Sequence, residues 1–329
     1  MKNKTILVSG GAGYIGSHVV KQLGEAGEKI VIIDDLSTGF ADAILYGELV
    51  QGNMGDKALV SRVMEEHDVD SVIHFAAHTI VPESVSNPLK YYGNNTCNSR
   101  NLLECCRDHN VKNFIFSSTA AVYGIPETES ANEKTPLDPI NAYGTSKLMT
   151  EWMLRDLSFA TEMKHVALRY FNVAGCDLKG RIGQSTEKAT LLIKVACEAA
   201  VGKREKVTIF GTDYPTKDGT GVRDYIHVED LASAHLKALD YLRDGGDSTT
   251  LNCGYGYGYS VREVLDAVEK VNGAKLNIVE EDRRAGDPPI LIAEAGLIRD
   301  TLGWEPQYND LELIVKTALD WEKKLLNKK

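Results

Sequence analysis

Basic clusters, paired cysteines and long apolar runs are all missing from this sequence. Lysine and arginine nowhere gather into a patch and the formal net charge is −10, which excludes a nucleic-acid backbone as the main partner. No apolar stretch approaches the ~20 residues that a bilayer-spanning helix needs, so no membrane partner is expected. The opening "MKNKTILVSGG" is apolar only briefly before glycine cuts it off, too short for a signal peptide. The six cysteines (Cys97, Cys105, Cys106, Cys176, Cys197 and Cys253) form no CxxC and have no histidine at zinc spacing. They read as reduced, mostly buried thiols, and the expected location is the cytoplasm. His74 and His78 stand four apart, but "VIHFAAH" reads as a strand running into a loop, and no metal site is assigned there. What remains is an ordinary globular composition, 43% hydrophobic and 26% charged, with 329 residues suggesting roughly two domains.

The first half alternates apolar runs with helical patterns. "KTILVSG" (4–10), "KIVIIDD" (29–35), "DSVIHFA" (70–76), "VKNFIFSS" (111–118) and "HVALRYFN" (165–172) are short, rich in β-branched residues and apolar on both faces. Buried parallel strands have that pattern. Helix-length stretches at 15–27, 56–67, 96–109 and 146–160 separate them. The alternation predicts an α/β fold with a doubly wound parallel sheet of Rossmann type. From about residue 176 the pattern loosens, which places a first domain over 1–175 and a smaller α/β substrate domain over 176–329. There 211–231 reads mostly as loop, with a helix following to about 243. "YGYGYSVREVLDAVEKV" (255–271) reads as a flexible glycine loop, then a capping box of Ser260 and Glu263 opening an amphipathic helix.

"VSGGAGYIGSH" follows the first strand and opens the first helix. Gly10, Gly13 and Gly16 permit a tight turn and a close backbone approach, and a helix N-terminus suits a pyrophosphate. The second strand ends in Asp34 and Asp35, with Asp34 18 residues after Gly16, near the spacing of a ribose-binding carboxylate. After Asp35 no lysine or arginine comes before Lys57 to neutralise a 2′-phosphate. The expected cofactor is therefore NAD and not NADP.

"NAYGTSK" (141–147) sets Tyr143 and Lys147 one helical turn apart, and among 14 tyrosines only this one has lysine four residues on. A phenol titrates near ~10, and an adjacent ammonium would favour its phenolate. Such a tyrosine could take an alcohol proton as a hydride leaves for NAD. "SST" (117–119) supplies a hydroxyl for the same alcohol oxygen.

With these motifs in place the chain resembles the extended short-chain dehydrogenase/reductase superfamily over nearly its whole length. "HFAA", "YYGNN", "FSSTAAVYG", "YGTSK", "RYFNVAG", "DGTGVRDYIHVEDLA" and "RRAGDP" fall in that superfamily's order. Within it the chain is most similar to the UDP-glucose (UDP-galactose) 4-epimerase family. That resemblance implies catalytic Thr119, Tyr143 and Lys147. It implies NAD contacts from Gly10, Gly13, Tyr14, Ile15, Asp34, Asp35, Leu36, Asn53, Met54, Phe75, Ala76, Ala77, Asn95, Ser117, Lys147 and Phe171. Toward a UDP-sugar it implies Thr119, Tyr143, Asn172, Phe210, Arg223, Arg284, Asp287 and Leu291. It also implies that 223–243 rejoins the NAD-binding part, and that a homodimer forms through helices at about 88–109 and 144–160. Leu102, Leu103, Met149, Trp152 and Met153 could form that seam or belong to the core.

Related dehydratases carry Asp-Glu after the active-site threonine, and related decarboxylases a Glu; here Ala120 and Ala121 stand there, and neither can move a proton. The chemistry then reduces to oxidation and reduction of one carbon, which is epimerisation, and the resemblance implies UDP-galactose and UDP-glucose as the pair interconverted. Five positions depart from the family pattern, one of them Thr119, which replaces the serine of many relatives and keeps the hydroxyl. Asn53 replaces an aspartate, Thr79 a lysine near the pyrophosphate, Leu191 a polar residue, and Leu291 a tyrosine that would exclude an N-acetyl group. Tolerance of UDP-N-acetylglucosamine follows as an expectation. An epimerase of other UDP-sugars and a non-catalytic NAD-binding regulator stay open as alternatives.

Overall fold

The computed structural model describes residues 4–187, 189–284 and 286–327. Its main sheet has seven parallel strands: β1 (Thr5–Ser9), β2 (Lys29–Asp34), β3 (Glu48–Gln51), β4 (Val69–His74), β5 (Asn113–Ser117), β6 (Lys164–Tyr170) and β7 (Thr249–Cys253). Their order in space is β7-β6-β5-β4-β1-β2-β3. The order reverses between β1 and β4, and a doubly wound sheet opens its ligand crevice at the carboxyl ends of the strands around such a point.

Eight longer helices surround and extend this sheet: α1 (Tyr14–Glu25), α2 (Lys57–His67), α3 (Asn98–Asp108), α4 (Ala142–Ala160), α5 (Leu192–Ala200), α6 (Val228–Arg243), α7 (Val261–Asn272) and α8 (Leu311–Asn327). Shorter ones lie at Val81–Ser86, Pro88–Tyr91 and Gly296–Leu302. Alternate residues of β1 serve opposite layers. Ile6 and Val8 join a core with Val19 and Val20 of α1 and Ala232 of α6. Leu7 faces the other way, to Val60 of α2, Leu102 of α3 and Leu154 of α4. Burial on both faces is why β1 and β5 are apolar throughout.

β3 and β7 were not apparent in the sequence. β3 is a half-exposed edge strand and "TTLNC" of β7 is only partly apolar, so neither makes a continuous hydrophobic run. α6 packs on α1, β5 and β6, and β7 pairs with β6, so part of the C-terminal half builds the first sheet.

The remaining segments make small sheets. One has the order Tyr259–Ser260, Val222–Arg223, Ile290–Ala293, Ser130–Ala131. Two parallel pairs join Tyr225–His227 to Asn172–Ala174 and Ile278–Glu281 to Val207–Phe210. Ser260 Oγ accepts from Glu263 N at 3.1 Å while Glu263 Oε2 accepts from Ser260 N at 2.8 Å, the expected capping box. The glycine loop before it is tied down and not loose. Tyr255 and Gly256 donate backbone N–H groups to Asp224 at 2.9–3.1 Å, and the Tyr255 hydroxyl donates to Asp230 at 2.7 Å. A buried carboxylate with several donors defines a loop more strongly than its glycines free it.

Candidate active site

The turn between β1 and α1 is built for a close neighbour. Gly10 has φ +76°, and a Cβ there would stand 2.5 Å from Ala76 N, because the ends of β1 and β4 touch. A Cβ on Gly16 would stand 2.2 Å from Gly10 O. Gly13 caps α1 with no side chain, leaving the helix N-terminus open. The side chain of Tyr14 is not part of that opening, since its hydroxyl donates to Gly175 O at 2.7 Å. Asp34 ties the turn to β2: Oδ2 accepts from Ala12 N and Oδ1 from Leu36 N, both at 2.9 Å. Burial pushes its carboxyl above the ordinary carboxylate range while those two bonds oppose the rise.

Around this turn the other expected cofactor residues divide by depth. Asp35 and Asn53 are exposed and bonded to each other at 3.3 Å, and Asn53 also accepts from Asn98 at 3.2 Å. Met54 is 4% exposed and lies in the core with Val60. Phe75 packs against His235 with ring centroids 4.8 Å apart and the planes tilted by 44°, and Ala76 and Ala77 are half-buried. Phe171 is buried beside Asn172, whose backbone N donates to Asp224 O at 3.0 Å. Asn95 braces the site internally. Its amide exchanges bonds with the His78 backbone at 2.8 and 3.0 Å and donates to Ser146 Oγ at 3.1 Å. It lies in a π-helical stretch, Tyr92–Cys97, which no sequence period announces. His74 engages both ring nitrogens with serines, Ser9 at 2.6 Å and Ser99 at 2.8 Å.

Tyr143 and Lys147 share the buried face of α4. Asn141 caps the helix, accepting from Gly144 N at 2.9 Å, and the absent side chain of Gly144 lets the helix press on Ala121 O. Lys147 Nζ donates to Ser117 O at 2.8 Å and lies 4.9 Å over the Phe116 ring. Burial pulls Lys147 down to about 7, with Glu151 opposing. The phenol behaves differently from the sequence expectation. Burial pushes Tyr143 above its ordinary value, and the group that pulls it back is the Thr119 hydroxyl, not Lys147. Lys147 itself is bonded to the Ser117 carbonyl. Ser117 Oγ is itself bonded to the Tyr170 hydroxyl at 2.6 Å.

The nucleotide-facing candidates cluster where Val222–Arg223 meets Ile290–Ala293. Arg223 is held by Val222 O at 2.8 Å and approaches Asp287 at 4.0 Å. Arg284 lies over the Phe210 ring with 3.6 Å between its guanidinium carbon and the centroid. Asp287 is exposed, and half-buried Leu291 pairs with Arg223. Leu191, in contrast, is the exposed residue before α5.

The arrangement is thus a glycine-cradled helix N-terminus with an acidic second strand, beside a buried Tyr–Lys pair and a threonine hydroxyl. The cradle that a Cβ would fill, the open cap of α1 and the carboxylate at the end of β2 all fit a dinucleotide. A sequence model of the NAD dependent epimerase/dehydratase family matches residues 6–254. The chain belongs to that family. It is 55% identical to the UDP-glucose 4-epimerase of Azospirillum brasilense over 321 residues, 97% of this chain and 92% of that one. The UDP-Glc/GlcNAc 4-epimerase of Campylobacter jejuni is 51% identical, with a TM-score of 0.86 over 98% of this chain and 99% of that one. The UDP-glucose 4-epimerase of Brucella ovis, solved in complex with NAD, is 42% identical with a TM-score of 0.94, covering 96% and 98%.

Two polar residues packed behind the Tyr–Lys pair, Glu151 and Arg169, are not singled out by the sequence motifs; Ser118, to which Glu151 is bonded, lies inside the "SST" that is. Glu151 stands four residues after Lys147, a spacing that could have drawn attention to it. Arg169 lies inside an apolar strand pattern, where a charge buried to 4% exposure is itself a signal.

Proposed function

We propose that this chain interconverts UDP-galactose and UDP-glucose by inverting C4, with NAD as its cofactor. The observation that carries the reading is the buried triplet Tyr143, Lys147 and Thr119, with Ala120 and Ala121 next to it and the glycine turn at the carboxyl end of the same sheet two strands away. Gly10, Gly13 and the N-terminus of α1 would hold the pyrophosphate, and Asp34 and Asp35 the adenosine ribose. NAD supplies a hydride acceptor that returns the hydride it takes, so net redox is zero.

The side chains of the chain do the rest. Tyr143 accepts the C4 hydroxyl proton, Thr119 orients that hydroxyl, and Lys147 carries the compensating positive charge in a dry site. Alanines at 120 and 121 place no acid or base against C5, which leaves oxidation and reduction at the same carbon. Arg223 and Arg284 suit a diphosphate by their planar forks, Phe210 the uracil, and Asn172 and Asp287 the remaining polar groups.

This reading assigns dinucleotide binding to 1–175 with 223–243, and the nucleotide sugar to the remainder of 176–329. It includes a cytoplasmic location, and no described helix is long and apolar enough to cross a membrane. It includes a homodimer through α4. Leu102 and Leu103 are buried in the core, but Trp152 is 45% and Phe159 95% exposed seven residues apart on one side of that helix.

A second specificity is favoured by Leu291, smaller than the tyrosine expected at that position, and by the likeness to a UDP-Glc/GlcNAc epimerase. The deciding assay incubates purified protein with UDP-galactose and no added NAD, following UDP-glucose by chromatography. Conversion supports an epimerase with retained cofactor. Conversion only on adding NAD means weak retention, consistent with Thr79 in place of a lysine. No conversion of UDP-galactose or UDP-N-acetylgalactosamine, with NAD bound, would leave a non-catalytic NAD-binding protein.

A further inference from the structure

Behind the catalytic pair lies a buried group that this mechanism leaves without a task. Glu151 sits one turn beyond Lys147 and two beyond Tyr143 on α4. Its carboxylate accepts from Arg169 Nε at 3.0 Å and Nη2 at 2.6 Å, and from the Ser118 hydroxyl. Arg169 Nη1 continues to the Tyr123 hydroxyl at 3.1 Å, which donates to Asn252 at 2.6 Å. Glu151 is 6% exposed, Arg169 4% and Ser118 fully buried. Stability alone is a weak account of such a pair, since well-packed apolar residues replace buried ion pairs at equal or lower cost.

The position of Ser118 supplies a better one. Its neighbour Ser117 gives the carbonyl to which Lys147 donates, and its other neighbour Thr119 gives the hydroxyl that acts on the phenol. We infer that Glu151 is a positioning residue of the epimerase site: clamped by Arg169, it fixes Ser118 and so sets Ser117 and Thr119 against Lys147 and Tyr143. This rests on the epimerase reading above and deepens it.

Glu151 also acts through its charge. It opposes the pull of burial on the Lys147 ammonium. The other groups around Lys147 are Tyr143 on its own helix, the Ser117 carbonyl and Phe116 ring from β5, and Thr119. Tyr170 and Arg169 face the region from β6, and His74 from β4. His74 is pulled down to about 3, mainly by burial, and stays neutral; Tyr170 is pushed up and stays protonated at neutral pH. Arg169 cancels part of the Glu151 field, so the expected influence on Lys147 is moderate.

The test uses the full-length holoenzyme and three variants, Glu151→Gln, Glu151→Asp and Ser118→Ala. Glu151→Gln should lower kcat on UDP-galactose about tenfold or more with KM within about twofold, because misplacement of reacting groups acts on the chemical step. Glu151→Asp should recover part of the loss. In protein labelled with 13Cε-lysine, the Lys147 resonance assigned by Lys147→Met should titrate lower in Glu151→Gln by about half a pH unit or more. Ser118→Ala should lower kcat several-fold and leave that titration in place. Folded Glu151→Gln with wild-type kcat and an unmoved Lys147 titration overturns the inference. Should Glu151→Gln not fold, Ser118→Ala decides, and wild-type kcat in that variant overturns it. Wild-type protein that turns over no UDP-sugar sinks the epimerase reading instead, and the Lys147 titration still judges Glu151.

Discussion

Tyr143 is buried, and its hydroxyl has the Thr119 hydroxyl as the group that lowers its pKa. Removing that one oxygen should therefore touch chemistry and little else. Tyr143→Phe is expected to lower kcat by about 10²–10⁴, the range for loss of a general base, with bound NAD and Tm close to wild type. Steady-state kinetics with NAD content measured after denaturation checks this, and a loss of NAD would make the tyrosine a binding group. Leu291 is half-buried on the strand paired with Arg223 and packs against the margin of the main core, so in the proposed sugar site a larger side chain there would narrow the space left for an N-acetyl group. Leu291→Tyr should lower turnover of UDP-N-acetylglucosamine at least tenfold relative to UDP-glucose, since rejecting bulk is a steric effect on one substrate only. Equal losses on both sugars would remove Leu291 from the gate. At this scale the sequence shows which residue types are placed for chemistry, because Tyr-x-x-x-Lys has a fixed helical geometry. It does not show what those residues touch. The turn of Lys147 to the Ser117 carbonyl and the clamp on Ser118 both depend on β5 lying beside α4, a contact between segments 30 residues apart.

The element that depends most on single residues is the turn into α1. Gly16 lies within the first turn of that helix, where an added methyl would stand 2.2 Å from a backbone oxygen that has no room to retreat. Gly16→Ala should shift the helix N-terminus, losing most NAD binding and destabilising the fold by about 1–3 kcal/mol, as overpacking does. Gly296→Ala is the control, also near a helix N-terminus but with nothing within 4 Å. It should be neutral or stabilising by up to about 1 kcal/mol, since alanine favours helix over glycine. Urea titration and NAD content of the two variants distinguish a clash from a general intolerance of substitution. The same element explains what the sequence made legible. The glycines, the apolar strands β1, β2, β4, β5 and β6, and the helices between them all announce themselves through local sterics or burial on both faces. β3, β7 and the π-helix at Tyr92–Cys97 do not, because their residues are chosen by partners distant in sequence: β7 pairs with β6 some 80 residues earlier.

Over the whole molecule, burial of histidine sets a limit on acid stability. Five of the eight histidines are buried, and burial pulls His18 and His74 down to about 3 and His165, His227 and His235 down to about 4. In the unfolded chain each titrates near ~6.5. The unfolded state thus binds more protons than the folded one between those values, and stability is full above pH ~6.5 and falls as pH drops toward 4. Asp224 works in the opposite sense, because its folded pKa is raised to about 6 and protonation there favours the folded state as pH falls. Burial raises Asp34, Glu229, Asp230 and Asp240 in the same sense as Asp224, and the five histidine shifts of about two and a half units or more are expected to outweigh them. Lys147, at about 7, adds a relief of its burial cost as pH rises toward its unfolded value. Tm is therefore expected to be flat or rising above pH 7 and to fall steeply between pH 6 and 4.5. His235 tests the cause. Its ring lies tilted against Phe75, its Nδ1 bonds the Leu231 carbonyl one turn back at 2.8 Å, and its Nε2 has no hydrogen-bond partner among the described residues, so its replacement loses one local bond at neutral pH. His235→Leu should make the acid limb of Tm against pH shallower while leaving the value at pH 8 within a few degrees. An acid limb unchanged by that substitution would shift the cause to Asp177, whose carboxylate Arg181 and Lys21 hold below its ordinary value against the effect of burial, so that its protonation would then govern the transition.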